Sequence, residues 1–307
     1  MPDGIIFDFD PAIARLGPLE LRWYGVSFAV MFWLGFALWY LNLRRGGYNR
    51  DTSVAFAPWF LVSLVVGARL GHCLFYEPGE YLSRPLEIIR FWKGGLSSHG
   101  ATLGLLTGLY LFCRRHGLRY LDILDRFSPA AALAAALVRL GNLMNSEIVG
   151  RPTDLPFGFR FVRFDCKARH LCDVLDTVPH TADPRWQQLL DATPARHPTQ
   201  LYEFLLGLVV LATLVIVDRR SGREERPVGL ISGTFAATYF GLRFLVELLK
   251  ERQIMPDPAP LSMGQLMSIP LFLTGVYVIW QALRRAEPAS GVPIPPRFAS
   301  TWEATRE

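Results

Sequence analysis

Charge is scarce in this chain. Asp, Glu, Lys and Arg make up 19% of its 307 residues, against roughly 25% in soluble domains. Cysteine is scarcer, with four residues, which excludes a dense disulfide scaffold. No Cys/His set has the spacing of a zinc site. No Gly-rich nucleotide loop and no serine-based triad pattern is present. Neither a metal nor a cofactor is expected. No internal repeat is visible, so the inverted-repeat pattern of many transporters is missing. No secretory signal is visible either. Met1 to Leu16 carries Asp3, Asp8 and Asp10, with no basic segment leading into an apolar core.

What is present is apolar. Hydrophobic residues make up 51% and aromatics 13%, and they cluster in runs of about 20 residues, the length that crosses a bilayer core as a helix. The runs are continuous, not alternating, which favours helices over a barrel. The expected fold is an all-α integral membrane protein with seven transmembrane helices, near 24–43, 55–76, 96–113, 121–145, 201–217, 228–249 and 263–283. Arginines follow the first, third, fifth and seventh runs, as in Arg44, Arg45, Arg114, Arg115, Arg219, Arg220, Arg284 and Arg285. Placing those loops in the cytoplasm puts the N-terminus outside and the C-terminus inside. This arrangement also accounts for much of the net charge of +5, so nucleic acid is not an expected partner. Residues 1–285 are read as the membrane domain. Residues 146–197 form a small external head inserted between spans four and five, and 286–307 a disordered cytoplasmic tail.

On this topology six spans bring polar residues to the outer level of the membrane. They are Tyr24, Arg69, His99, then Arg139, Asn142, Asn145 and Glu147, then Gln200 and Glu203, then Arg243 and Glu247. At the inner level the arginines simply flank the helices. Ionisable groups at such depth are costly and mark functional sites. Arg139 with Asn142, and Arg243 with Glu247, are spaced to share a helix face, and the second pair is expected to be an ion pair. Gly94, Gly95, Gly100 and Gly104 around His99 let backbones approach.

Blander readings compete for several of these residues. Arg69 fits a snorkelling side chain as well as a ligand. Tyr24 beside Trp23 fits an interfacial aromatic belt. His99 fits a hydrogen-bonded helix start, and Glu203 a charge at a helix first turn. Arg139 and Arg243 lie too deep in apolar runs for that. Two guanidiniums at one depth suit a phosphate, and a phosphate at the outer interface means a phospholipid head group. With no nucleophile of its own, an enzyme of this kind must take one from a second substrate. Cys73 and Cys113 lie in apolar runs. Cys166 and Cys172 lie in the head, where a disulfide and two free thiols both remain open.

The run Arg139-Leu140-Gly141-Asn142-Leu143-Met144-Asn145-Ser146-Glu147-Ile148-Val149-Gly150 resembles the central motif of the bacterial prolipoprotein diacylglyceryl transferases. Val138 and Leu143 stand where the family has glycine and phenylalanine. Further likeness lies in Arg22-Trp23-Tyr24-Gly25, in Gly94 to Gly100 with Ala101 replacing a second glycine, in His197 to Glu203, in Arg243-Phe244 with Glu247, and in Ser262 to Gln265. The departures remove no chemical group.

The resemblance implies transfer of the sn-1,2-diacylglyceryl group of phosphatidylglycerol to the lipobox cysteine of a prolipoprotein. Glycerol 1-phosphate is released, and the site faces the periplasm from the bacterial inner membrane. It implies Arg139 and Arg243 at the phosphate, His99 as candidate base and Tyr24 orienting head group or thiol. Asn142, Glu147, Gly150, Gln200, Glu203, Glu247 and Arg69 would bind or support the lipid. The rival class is a phospholipid transporter or flippase, which would need polar groups continuing to the inner face.

Overall fold

The computed structural model describes residues 4–17, 19–75, 77–91, 94–176, 183–251 and 260–289. Strand β1 (Ile5–Phe7) precedes the antiparallel hairpin β2 (Ala12–Leu16) and β3 (Leu19–Arg22). Helices α1 (Trp23–Arg45), α2 (Arg50–Phe75), the short α3 (Pro78–Ser83), α4 (Ser98–His116) and α5 (Tyr120–Met144) follow. Strand β4 (Phe159–Phe161), α6 (Val162–Arg169) and α7 (Trp186–Ala192) lead to α8 (Thr199–Arg220), α9 (Leu230–Val246) and α10 (Met263–Arg285).

A long helix coincides with each of the seven apolar runs. Among the described residues, α1, α2, α5, α8 and α10 are long and apolar enough to cross a membrane. Tyr76, where the sequence ends the second run, lies outside the described residues. The chain is mostly helical but not all-α, because two small two-stranded sheets are present. The hairpin escapes a search for long apolar runs, because its strands have only five and four residues.

The chain divides into two compact units. The first comprises Met1–Gly35, Ser128–Arg220 and Leu230–Arg284, and the second the remainder. In the first unit, Ala132, Leu206, Val210, Leu214 and Ile231 form a buried core flanked by Phe235, Tyr239 and Leu242. Gly207 is needed there, since a Cβ on it would lie 2.7 Å from that of Ala136. The segment between α5 and α8 has its own small core of Val162, Cys166, Val174, Leu189 and Leu190. The sulfurs of Cys166 and Cys172 are 2.09 Å apart, a disulfide. Strand β4 pairs in parallel with β1, Ile5 opposite Phe159 and Phe7 opposite Phe161. The N-terminal strand therefore packs with this segment, although ~150 positions separate them.

In the second unit, α2 and α4 lie backbone to backbone. A Cβ on Gly67 would stand 2.6 Å from Gly104 Cα, and one on Gly71 2.5 Å from Gly100 Cα. Small residues at four-residue spacing, Ser63, Gly67 and Gly71 against Gly100, Gly104 and Gly108, make the approach possible. Replacing Gly104 by leucine is expected to destabilise the protein by ~1–3 kcal/mol through overpacking. Thermal unfolding in detergent would register this as a lowered midpoint, and an unchanged midpoint would contradict the packing.

The same unit holds a buried charge network that corrects the expectation of arginines merely flanking the helices. It lies at the first turns of α5, the end opposite Arg139. Arg126, fully buried, sits 3.2 Å from Asp122 and 2.6 Å from Glu224, and donates to the Asn42 carbonyl at 3.0 Å. Tyr48 donates to Asp122 at 2.5 Å. Asp125 accepts from the Gly229 amide at 2.8 Å, with the Arg226 guanidinium 3.9 Å away. Burial and the neighbouring Asp122 push the Tyr48 phenol above its ordinary value. For Glu224, burial acts upward, but its bond to Arg126 and the nearby arginines outweigh it and leave the carboxyl low. These charges pair with one another and hold connecting loops in one arrangement.

The expected disordered tail is also corrected at its start. Ala289 is buried, its amide donates to the Arg226 carbonyl at 2.9 Å, and Arg119 pairs with Glu287 at 2.5 Å. Residues 290–307 of that tail lie outside the described residues.

Candidate active site

The first unit gathers most of the sequence-predicted residues. Helix α5 ends at Met144, and the chain reverses through Ser146 and Ile148, both with positive φ, at 52° and 60°. Just before this turn Arg139 Nη1 donates to Asn142 Oδ1 at 3.2 Å, the spacing expected on one helix face. Asn142 and Asn145 both donate to Glu147 Oε1, at 3.3 and 3.1 Å. Gln200 Nε2 donates to the Glu147 carbonyl at 2.8 Å, and Thr199 to that of Ile148 at 3.0 Å. The first turn of α8 thus holds the reversal from below.

Gly141 and Gly150 have different reasons. A Cβ on Gly141 would meet the Tyr24 ring at 3.1 Å, so the missing side chain lets α1 bring its phenol against α5. Tyr24 is within electrostatic reach of Glu147 and Arg139. Gly150 is not the sharp turn beside the lipid that the sequence suggests. A Cβ there would lie 2.5 Å from the His197 carbonyl and 2.9 Å from that of Leu249, so glycine permits a three-way backbone approach. Gly150 forms an antiparallel bridge with Lys250.

Glu203 is the centre of the arrangement. It is 4% exposed, and one carboxylate faces three cations. Oε1 takes Arg243 Nη1 at 3.0 Å and Lys250 Nζ at 2.8 Å. Oε2 lies 3.1 Å from Arg139 Nε, an ion-pair distance without hydrogen-bond alignment. The sequence pairs Arg243 with Glu247, and here the structure corrects it: the guanidinium reaches Glu203. Helix α9 stops at Val246 and Glu247 begins a 3₁₀ turn, Glu247–Leu249. Tightening to about 3.0 residues per turn rotates Glu247 away from the i, i+4 position. Its carboxylate instead lies 3.3 Å from Lys250 Nζ and against Gly264, where no Cβ would fit. Ser262 and Gln265 cap each other at the start of α10, at 3.2 and 3.0 Å.

Twelve buried side-chain polar atoms lack a hydrogen-bond partner among the described residues. Seven belong to this cluster: Arg139 Nε, Asn145 Oδ1, Ser146 Oγ, Gln200 Oε1, Glu203 Oε2, Glu247 Oε2 and Gln265 Nε2. Arg139 Nε, Glu203 Oε2 and Glu247 Oε2 are nonetheless held in ion pairs at 3.1 and 3.3 Å, and the other four are the atoms left to meet water or a ligand. Among the described residues no group of His, Cys, Asp and Glu is arranged to hold a metal.

Sequence reasoning missed two cations. Lys250 reads in one dimension as an ordinary lysine beyond a span end. Arg196 grips Asp165 of α6 with two donors, at 2.8 and 3.1 Å, and Glu251 with a third at 2.8 Å. For Arg196 burial acts downward, but those carboxylates outweigh it and hold the guanidinium above its ordinary value. Burial pushes the neighbouring His197 below its ordinary value.

His99 and Arg69 belong to the second unit. His99 is exposed in the first turn of α4, a turn capped by Ser97, whose hydroxyl accepts from the Gly100 amide at 3.2 Å. Arg69 is neither a snorkelling residue nor an open ligand. It is 4% exposed and donates to four backbone carbonyls. These are Glu87 at 2.6 Å, Ile88 at 2.9 Å, Gly94 at 2.6 Å and Gly95 at 3.1 Å. Four of a guanidinium's five N–H groups are engaged. These contacts make Arg69 a clamp on the glycine-containing connection leading into α4, where the sequence expects a head-group ligand.

The sequence pattern that defines the prolipoprotein diacylglyceryl transferases matches residues 11–281. The chain belongs to that family. It is similar over about nine-tenths of its length to proteins named phosphatidylglycerol–prolipoprotein diacylglyceryl transferase. That of Chloroherpeton thalassium is 38% identical over 287 residues, covering 92% of this chain and 96% of the relative. That of Porphyromonas gingivalis is 36% identical over 298 residues, with the same coverage. That of Tolumonas auensis is 34% identical over 277 residues, covering 90% and 96%. The Glu203 cluster is thus built on elements inside the region that matches the family.

Proposed function

We propose that this protein transfers the sn-1,2-diacylglyceryl group of phosphatidylglycerol to the lipobox cysteine thiol of a prolipoprotein, the first step of bacterial lipoprotein maturation. The observation that carries the reading is the pair of guanidiniums, Arg139 and Arg243, anchored from two helices on the single buried carboxylate of Glu203. Family membership supplies the reaction.

In that reaction an S–C bond forms at the glyceryl carbon as its bond to the phosphate oxygen breaks. The phosphate goes from one negative charge to two as glycerol 1-phosphate leaves. Arg139 and Arg243 bind the phosphate and stabilise the added charge, which is the electrostatic form of catalysis. Anchoring both on Glu203 fixes their direction before the lipid arrives. The thiol must lose its proton, because thiolate is the nucleophile. The family resemblance suggests His99, a residue of the second unit, for that role. Asn142, Asn145 and Gln200 hold Glu147 and its backbone, leaving that carboxylate and Tyr24 to meet the glycerol hydroxyls or the thiol. Gly150 brings the backbones after α5 and α9 together, and Glu247 steadies Lys250.

The same reading extends to the membrane. All seven long helices span, with α4 and α9 joining the five that qualify by length and composition. Arginines in the last turns of α1, α4 and α8 support a cytoplasmic position for those ends. The N-terminus and the 146–197 head are then periplasmic, the C-terminus cytoplasmic, and the inner membrane the location. The Cys166–Cys172 bond suits an oxidising compartment.

The test is reconstitution. Purified protein with phosphatidylglycerol and a lipobox peptide is expected to add a diacylglyceryl mass to the peptide. Folded protein that yields no such product overturns the reading.

A further inference from the structure

Lys250 has no part in the transfer chemistry drawn above, yet it is the cation nearest to Glu203. Its ammonium lies 2.8 Å from Glu203 Oε1, the same oxygen that Arg243 uses at 3.0 Å. It also lies 3.3 Å from Glu247 Oε2. The residue is 6% exposed, so these contacts are little screened by solvent.

Its position is fixed by backbone. Lys250 closes the 3₁₀ turn, its amide donating to the Glu247 carbonyl at 3.3 Å, and the flanking Glu251 amide reaches the Val149 carbonyl at 3.2 Å. Its carbonyl accepts from Arg151 Nε at 3.1 Å. The antiparallel bridge to Gly150 ties it to the end of the central motif. The chain therefore carries this ammonium to the carboxylates whatever the side chains on α5 and α9 do.

The charges show why that matters. In direct ion pairs, Arg139, Arg243 and Lys250 face Glu203 and Glu247, three positive against two negative, while the Glu147 carboxylate is held by Asn142 and Asn145. Without Lys250 the count is two against two, and Glu203 is left to the two arginines alone. A buried guanidinium fully claimed by carboxylates is a poor ligand for a phosphate that gains a charge as it leaves. Lysine suits the counter-ion task, because an ammonium is a compact point charge without the planar fork that grips phosphate.

We propose that Lys250 is a positioning residue for the transfer reaction: it occupies Glu203 and Glu247, so that Arg139 and Arg243 keep a surplus positive charge for the lipid phosphate. The inference rests on the diacylglyceryl transfer reading. Beyond that reading it assigns a role to a residue that the central motif does not contain.

The experiment uses full-length protein in detergent with phosphatidylglycerol and a lipobox peptide, reading kcat, the KM for the lipid and the melting midpoint. For K250M, kcat is expected to fall by about 100-fold, the scale of losing one preorganised charge. K250R, which keeps the charge, is expected to stay within about 3-fold of wild type. The double variant K250M/E247Q restores the surplus of one positive charge, and is expected to recover about 10-fold over K250M. Recovery of kcat at an unchanged melting midpoint separates this role from a purely structural contact, whose rescue would appear in the midpoint.

Wild-type kcat and KM in K250M overturn the proposal. So does a folded K250M/E247Q no better than K250M. Should K250M fail to fold, K250Q keeps a side chain able to bond Glu203 without the charge, and wild-type turnover in K250Q overturns the proposal equally. If wild-type protein itself makes no product, the transfer reading fails and this inference with it. If wild type turns over and K250M does too, only the role of Lys250 falls.

Discussion

Replacing Arg139 by alanine is expected to lower kcat by about 100- to 1,000-fold, the range seen when one preorganised electrostatic donor is removed, with the protein still folded. Both halves follow from the geometry. Glu203 keeps Arg243 and Lys250 within 3.0 Å after the change, so its carboxylate stays neutralised and the core around α8 and α9 has no new unpaired charge. On the proposed reading the phosphate, however, loses one of its two guanidiniums. Arg139 Nε faces Glu203 without a hydrogen bond, which leaves the group able to turn its N–H edge to a ligand. Arg139→Lys is expected to recover only part of the activity, because the ammonium has no fork. Steady-state transfer to a lipobox peptide at saturating lipid measures this. Full turnover by a folded Arg139→Ala protein would remove the residue from the chemistry.

Legibility in the sequence differs between helices and contacts. The long helices could be placed because hydrocarbon length imposes runs of about 20 apolar residues. Their ends shift by only a few positions, as where Thr199 and not Leu201 opens α8. The β1–β4 pair could not be seen, because two three-residue strands far apart in sequence leave no periodicity to detect. The charge network around Arg126 was half visible. Asp122 and Arg126 have the i, i+4 spacing of a helical ion pair. Their other partners, Tyr48 and Glu224, lie 74 and 98 positions away from them, and nothing local announces such contacts.

The candidate site shows the same division. Arg139 and Asn142 meet as their spacing says, because α5 remains α-helical through both. Arg243 and Glu247 do not, because the helix tightens between them. Glu203 could be nominated as an acidic residue at a span start, but not recognised as the carboxylate shared by three cations. Lys250 was invisible, since its role depends on a backbone bridge to Gly150. Arg69 shows the converse. A buried arginine is a sound signal of a polar partner, but the sequence does not say whether that partner is a ligand or, as here, four carbonyls of its own loop.

Replacing Glu203 by alanine is expected to be the most damaging single change in the chain, destabilising it by ~3–5 kcal/mol, the cost of leaving buried charge uncompensated. The side chains of Arg139, Arg243 and Lys250 are 12%, 20% and 7% exposed, so little water is available to replace the carboxylate. Glu247, beside Lys250, cannot serve all of them. Glu203→Gln keeps the shape and one acceptor but not the charge, so it is expected to fold better than the alanine variant and still lose transfer. Screening separates this pair of effects from surface electrostatics. Raising ionic strength shortens the Debye length below about 8–10 Å and screens exposed pairs, whereas the deficit of Glu203→Ala is expected to persist at high salt because its partners are shielded by protein. Removing one stranded cation supplies the internal control: Glu203→Gln with Arg139→Met is expected to melt higher than Glu203→Gln alone, a coupling that a double-mutant cycle measures directly. A Glu203→Ala protein that melts with wild type would mean that the three cations are solvated after all, and would remove the basis on which Arg139 and Arg243 are held in place for the phosphate.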